Sequence, residues 1–319
     1  MGLYAVTGAA GFIGSHLTDA LIAGGHRVRG LDNLSTGRKE NLDPRCDLIV
    51  ADVTDAAAVR ELMDGADGCF HLAAIASVQR ANEAWLDTHR VNLGGTIAVL
   101  DAARAGGGVP VVYASSAAVY GDVRAGKASE DTRPSPLTAY GADKLGSEQH
   151  ARVAFLVHGV PNTGLRFFNV YGPRQDPMSP YSGVISIFAR RVAAEMPVTI
   201  NGAGDQVRDF IHVTDVVAHL LAGMEMLDEH AGANVFNVCT GRGTSVLELA
   251  RLLSVIEGRA PAIEHGPPRP GDIRVSIGDP TAAIGSLGVA ARMTLRDGLS
   301  GTLAHMMRRS TMLETPAGD

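Results

Sequence analysis

Along the first half of the chain, short apolar runs alternate with longer stretches whose apolar positions recur at helical spacing. The runs at 3–6, 28–31, 48–51, 69–72, 111–114 and 165–168 predict strands, and helices are predicted between them at about 13–23, 56–63, 88–105 and 139–157. Such alternation implies parallel strands joined by right-handed crossovers, so the fold class is α/β with a doubly wound sheet. Beyond Asn169 the pattern loosens into a Pro/Gly-rich stretch at 172–183. Helices at 184–194, 215–227, 246–256 and 295–306 then mix with short strands near Val198 and Val235, which predicts a smaller α+β lobe. The tail after Arg309 has little to bury and is expected to fray. No repeat of fixed period stands out.

Composition narrows the class. At 319 residues the chain has about two domains' worth of length, and 45% apolar with 19% charged residues suits a globular rather than a disordered protein. The expected division is 1–168, with a return of the chain near 210–230, and 169–319. A net charge of −6 with no basic block argues against nucleic acid as main partner. Cys46, Cys69 and Cys239 are spread without zinc or disulfide spacing, which fits a reducing cytoplasm. Polar residues and glycines interrupt every apolar stretch before about 18 residues accumulate, so no membrane span is expected. The N-terminus lacks the basic flank of a signal peptide.

Candidate chemistry begins where the first strand runs into Thr7-Gly8-Ala9-Ala10-Gly11-Phe12-Ile13-Gly14 and an apolar helix follows. Three glycines at this spacing permit a tight turn, close approach to a pyrophosphate and close helix packing, while the helix N-terminus offers free N–H groups. A dinucleotide is expected there. The second strand ends at Asp32 and Asn33, 24 positions beyond Gly8 for the aspartate, where a carboxylate accepts the ribose hydroxyls. Since a carboxylate repels a 2′-phosphate, NAD is favoured over NADP, with Arg38 and Lys39 nearby as the opposing signal. Asp52 and Val53, at the end of the third strand, could read the adenine amine; an N-cap at Asp52, Thr54 or Asp55 is the alternative.

Ser115 and Ser116 close a buried-strand pattern, at the sheet edge where ligands bind in open α/β folds. Tyr140 and Lys144 are four residues apart, hence on one helix face. A phenol of ordinary pKa about 10 becomes a competent base if an adjacent ammonium and a cationic nicotinamide stabilise its phenolate. Ser116 could steady the same substrate oxygen. The catalytic candidates are therefore Ser116, Tyr140 and Lys144, and no metal is expected, because the 11 histidines show no ligand spacing.

With these motifs in this order, residues 3 to about 307 resemble the extended short-chain dehydrogenase/reductase family, particularly its NAD-dependent nucleotide-sugar epimerases and dehydratases. Further matching segments are Asp32-Asn33-Leu34-Ser35-Thr36-Gly37, His71-Leu72-Ala73-Ala74, Ser115-Ser116-Ala117-Ala118-Val119-Tyr120-Gly121, Arg166-Phe167-Phe168-Asn169-Val170-Tyr171-Gly172-Pro173-Arg174 and Arg269-Pro270-Gly271-Asp272. The resemblance implies a Rossmann-type NAD domain over 1–168 and a nucleotide-sugar lobe over 169–319. It implies NAD contacts from Gly8, Gly11, Phe12, Ile13, Gly14, Asp32, Asn33, Asp52, Val53, Leu72, Ala73, Ala74, Tyr140 and Lys144, and a structural His71 at the cofactor edge. Ala117 and Ala118 stand where dehydratases of the family carry acids, so the expected reaction is epimerisation at C4 of a UDP-sugar through a 4-keto intermediate. Asn169, Arg208 and Arg269 match diphosphate-binding positions; Arg208 could instead be a surface partner of Asp209 or Asp272. Ser276 stands where strict UDP-galactose epimerases hold a bulky Tyr, leaving room for an N-acetyl group at C2 or a modified C6, to which Ser77 and Arg80 could contribute. A UDP-glucuronate 4-epimerase, a 2-epimerase, a 4-keto reductase and a non-catalytic NAD-binding regulator are the alternatives. Relatives dimerise through two long helices, here 88–105 and 139–157, so a homodimer is expected, although Leu93, Val99 and Leu100 could equally face the sheet.

Overall fold

The computed structural model describes residues 1–123, 126–176, 183–260, 262–268 and 272–314. In its first half, β1 (Leu3–Thr7), α1 (Phe12–Ala23), β2 (Arg27–Asp32), β3 (Asp47–Val50), α2 (Ala56–Met63) and β4 (Gly68–His71) follow one another. Next come α3 (Val78–Glu83), α4 (Trp85–His89), a π-helical turn (Arg90–Gly94), α5 (Gly95–Ala105), β5 (Val111–Ser116), α6 (Ala139–His158) and β6 (Asn162–Phe167). The second half holds β7 (Asn169–Tyr171), α7 (Val184–Ala193), β8 (Val198–Asn201), β9 (Val207–His212), α8 (Val213–Glu229) and β10 (Ala233–Val238). It ends with β11 (Gly243–Ser245), α9 (Val246–Ile256), β12 (Ile263–Gly266), β13 (Val275–Ser276), α10 (Thr281–Leu287) and α11 (Leu295–Glu314).

Among the described residues, seven parallel strands form the main sheet in the order β10-β6-β5-β4-β1-β2-β3. The order reverses between β1 and β4, the crevice where doubly wound sheets bind ligands. Because alternate strand residues face opposite sides, Ala5, Cys69 and Val111 enter one core while Val6, Phe70 and Val112 enter the other. Helices α2, α5 and α6 cover the first side; α1 and α8 cover the second through Leu17, Leu21, Val216, Leu220 and Met224. A third core joins α7, α9 and α11 around Phe188, Leu249, Leu253, Leu299 and Leu303.

Two differences from the sequence pattern have clear causes. The strand near Val235, expected in the smaller lobe, pairs with β6 over the register Ala233↔Asn162 to Val238↔Phe167 and is the edge of the main sheet. The single helix expected over 88–105 is broken by the π-helical turn, inside which buried Asn92 receives the Ile75 N–H at 2.8 Å and donates to the Ile75 carbonyl at 3.2 Å. Helix α11 also runs past Arg309 to Glu314, and the rest of the tail lies outside the described residues.

Candidate active site

The glycine turn is built by contacts that admit no side chain. Gly8 has φ +70° and donates to Leu31 O at 2.7 Å, and a Cβ on Gly14 would overlap the Gly8 carbonyl. Helix α1 opens at Phe12 with no side-chain cap at Gly11, so its first N–H groups remain available to an anion. Phe12 and Ile13 are half-buried on that first turn.

Asp32 ends β2 buried at 7% exposure. Its Oδ2 accepts from Ala10 N at 3.0 Å and its Oδ1 from Leu34 N at 2.8 Å, with Leu34 in the left-handed region at φ +56°. Burial raises this carboxyl above its ordinary pKa despite the backbone donors. Asn33 donates from Nδ2 to Asp52 Oδ2 at 2.7 Å, tying the ends of β2 and β3 together. Burial would raise Asp52, but the Thr54 and Asn33 donors prevail and hold it low. The N-cap of α2 is Asp55, which accepts from Ala57 N and Ala58 N; Asp52 instead binds Thr54 and Asn33. Val53 is buried against Gly95.

Past β4, the Leu72 and Ala73 N–H groups both reach Thr7 Oγ1 at 3.1 Å, and Ala74 is half-buried beside them. His71 is locked beneath: Nδ1 lies 2.8 Å from Thr7 Oγ1 and Nε2 3.1 Å from Thr96 Oγ1. Burial first, then Lys144, push its pKa down to about 3, so the ring is neutral near pH 7. Among the described residues no group of three His, Cys, Asp or Glu could hold a metal ion.

Ser116 closes β5, where its Oγ accepts from Ala118 N at 3.1 Å, and its side chain lies close enough to the Tyr140 phenol to lower its pKa. Lys144 is 2% exposed, its Nζ 2.8 Å from Ala114 O and 5.8 Å from the centroid of the Tyr140 ring. The strand end and the helix face thus converge. In the protein alone, burial pushes Tyr140 up to about 12, with Ser116 opposing it. Burial likewise pulls Lys144 down to about 8 against the pull of Asp143. Desolvation dominates the phenol, and positive charge brought close to it favours the phenolate.

Of the substrate candidates, Asn169, Arg208 and Ser276 share one small sheet. Asn169 pairs in register with Phe210 of β9, and Ser276 lies opposite Arg208. Asn169 is also two residues beyond Phe167, the register partner of Ser116. Arg208 reaches Asp272 Oδ1 at 2.6 Å rather than its neighbour Asp209, which faces away into bonds with Thr240, Gly241 and Gly278. Arg269 lies outside the described residues. Ser77 caps α3 through Arg80 N, and Arg80 is exposed.

Three arrangements were not foreseen. Asn92 holds the segment after β4. Glu148 and Arg166 form a buried pair behind Ser115, for which the spacing Tyr140, Lys144, Glu148 on one helix face was an available signal. His89 pairs with Asp143 beside Lys144, and nothing in the local pattern pointed to it.

A doubly wound sheet with a glycine turn at its switch point and a Ser, Tyr and Lys group at its carboxyl edge defines a dinucleotide-dependent enzyme of the short-chain dehydrogenase type. The model of the NAD dependent epimerase/dehydratase family matches residues 4–239, and the chain belongs to that family. It is similar to the UDP-glucose 4-epimerase of Mycolicibacterium smegmatis, at 38% identity over 313 residues covering 96% of this chain and 98% of the relative. Among solved structures it is similar to the Thermotoga maritima UDP-glucose 4-epimerase with UDP-glucose, at TM-score 0.92 and 36% identity, covering 97% of this chain and 100% of that one. It is also similar to the Bacillus cereus UDP-glucuronic acid 4-epimerase in complex with UDP-glucuronic acid and NAD, at TM-score 0.87 and 29% identity, with 97% and 100% coverage. The enzyme is thus a nucleotide-sugar 4-epimerase family member with NAD as cofactor, and its uncapped α1 N-terminus and side-chain-free glycine turn fit that dinucleotide.

Proposed function

We propose that this enzyme is a UDP-sugar 4-epimerase that interconverts C4 epimers of the UDP-glucose/UDP-galactose type, N-acetylated sugars included, through a transient 4-keto intermediate. The observation that carries the reading is the convergence of Ser116, Tyr140 and Lys144 beside Ala117 and Ala118, whose methyl groups cannot move the proton an elimination requires. Gly8, Gly11, Phe12, Ile13, Gly14, Asp32, Asn33, Asp52, Val53 and Leu72 to Ala74 would hold NAD, with Tyr140 and Lys144 at its nicotinamide end. When bound there, NAD would supply reversible hydride transfer at C4 and a positive charge that favours the phenolate. Tyr140 takes the proton of the C4 hydroxyl, Ser116 steadies the oxygen, and Tyr140 gives the proton back once the ketone has presented its other face.

This cycle requires a firm grip on the diphosphate and a loose grip on the sugar. Asn169, Arg208 and Arg269 supply the grip, since a guanidinium has five N–H donors and Asp272 engages only part of the Arg208 set. The reading divides the chain into 1–168 for NAD and 169–319 for the nucleotide sugar, with α8 and β10 returning to the main sheet. Ser276, small and opposite Arg208, leaves room for an N-acetyl group. A UDP-glucuronate substrate is the second reading, favoured by exposed Arg80 on the segment after β4.

A homodimer is part of the proposal: Ile97 on α5 and Val153, Leu156 and Val157 on α6 are exposed apolar side chains, whereas Val99 and Leu100 are buried against the sheet. A cytoplasmic setting suits Cys69 and Cys239, which are buried free thiols. Among the described residues no helix is long and apolar enough to cross a membrane. The test is incubation with UDP-glucose, UDP-N-acetylglucosamine and UDP-glucuronate, with product epimers separated by chromatography. Epimer formation without net NADH consumption is expected, and stoichiometric NADH consumption would mark a reductase instead.

A further inference from the structure

Asp143 immediately precedes Lys144 on α6, and its side chain is only 5% exposed. Its Oδ1 lies 2.7 Å from Nδ1 of His89, at the end of α4. An ionised carboxylate has no hydrogen to give, so the imidazole is the donor. Its Oδ2 is buried with no hydrogen-bond partner. A carboxylate oxygen in that position is costly unless a positive charge stands near it. The next residue on α6 is Lys144, whose ammonium is itself buried, donates to the neutral Ala114 carbonyl and is acted on by the Asp143 charge.

We propose that Asp143 is the counter-charge that keeps the Lys144 side chain an ammonium within the fold, and that His89 holds this carboxylate in place. Asp143 is therefore a positioning residue for the Tyr140 and Lys144 pair. The inference rests on the reading of that pair as the proton-transferring group.

Few other charges bear on Lys144. On α6 itself Tyr140 is a neutral phenol, and Glu148 is occupied by Arg166 of β6 and Ser115 of β5. From β4, His71 is neutral near pH 7, and from β5 burial holds the Tyr113 phenol far above its ordinary range. His89 of α4 is engaged by Asp143. Burial already draws Lys144 down to about 8, and Asp143 is the group that opposes it. Without that carboxylate the lysine would become a neutral amine closer to pH 7, and a neutral amine does not stabilise a phenolate.

The chain has three lysines, Lys39, Lys127 and Lys144, so Lys144 can be followed alone. In full-length protein carrying 13C-labelled lysine, the Cε signal is assigned with Lys144→Met and titrated by NMR. In Asp143→Asn, and equally in Asp143→Ser, the Lys144 midpoint should fall by about one pH unit, and the alkaline limb of kcat should move with it. His89→Ala keeps the carboxylate and should move the midpoint less than half as far. An unmoved midpoint in both Asp143 variants overturns the proposal. So does a His89→Ala shift as large as theirs, because the pair would then be only a tether between α4 and α6. Tyr140→Phe, run in parallel, separates the two levels: retained turnover defeats the catalytic reading, whereas lost turnover with an unmoved Lys144 defeats only this inference.

Discussion

Glu148 lies one turn beyond Lys144 on α6 and closes a two-pronged pair with Arg166 of β6, Oε1 to Nε at 2.8 Å and Oε2 to Nη2 at 2.7 Å. The same carboxylate accepts from Ser115 Oγ, and Arg166 passes a further bond to the Tyr120 hydroxyl, which donates to Asn237. The helix that carries Tyr140 and Lys144 is thereby fixed to the strand that ends in Ser116. Both side chains are within 6% exposure, so removing one partner strands a buried charge. Glu148→Leu or Arg166→Met alone should cost about 3–5 kcal/mol, and the two together markedly less than the sum. Urea unfolding of the four proteins measures the coupling; simple additivity would show that the pair does not act as a unit.

Tyr140→Phe removes the hydroxyl that meets Ser116 while preserving the ring. The expectation is a fall in kcat of about 10²–10⁴-fold with the fold retained by circular dichroism. A kcat within a factor of a few of the parent would assign the base elsewhere.

Gly14→Ala places a methyl group against the Gly8 carbonyl, a backbone atom that cannot swing aside. Overpacking of this kind costs about 1–3 kcal/mol. The variant should melt at lower temperature and lose NAD during gel filtration that the parent survives; retention equal to the parent's would dissociate the glycine turn from cofactor binding.

Ser276→Tyr tests the space opposite Arg208. Turnover of UDP-N-acetylglucosamine should drop about tenfold or more relative to UDP-glucose, since steric exclusion of one substituent is worth roughly 1–3 kcal/mol. Competition between the two substrates measures the ratio directly, and an unchanged ratio would move the C2 pocket away from β13.

His71 predicts a pH effect on stability. Its folded pKa of about 3 lies below its ordinary 6.5, so the unfolded chain binds the extra proton. Stability from this group is complete above pH 6.5 and is lost progressively as pH falls toward 3, at about 1.4 kcal/mol per unit at most. The melting temperature of His71→Asn should therefore change less between pH 6.5 and 5 than that of the parent, and parallel curves would refute the assignment.

Much of the layout was legible because local pattern and burial agree. Helix α2 was expected at 56–63 and occupies Ala56–Met63, since its Asp55 cap and apolar face both point the same way. The break at Arg90–Gly94 was hidden, because it depends on Asn92 meeting a backbone segment some 17 residues earlier. The partner of Arg208 was ambiguous for a related reason. Only the alternation of side chains along β9 sends Asp209 to one face and leaves Asp272 to the arginine. Ionisation was least legible: the sequence places an ammonium beside Tyr140, but the enclosure that raises the phenol belongs to the assembled fold.

The return of β10 to the edge of the main sheet has a consequence for biosynthesis. Asn162 pairs early with Val111 but cannot acquire its partner on the other side until Ala233 has left the ribosome, and the part of the sheet face that α8 covers stays bare until that helix is made. A nascent chain halted after β6 would present an open parallel edge and an uncovered apolar layer, which is a template for aggregation. Strands β7, β8 and β9 of the smaller sheets are thus threaded between two neighbouring strands of the larger one, and the two halves of the molecule must mature together.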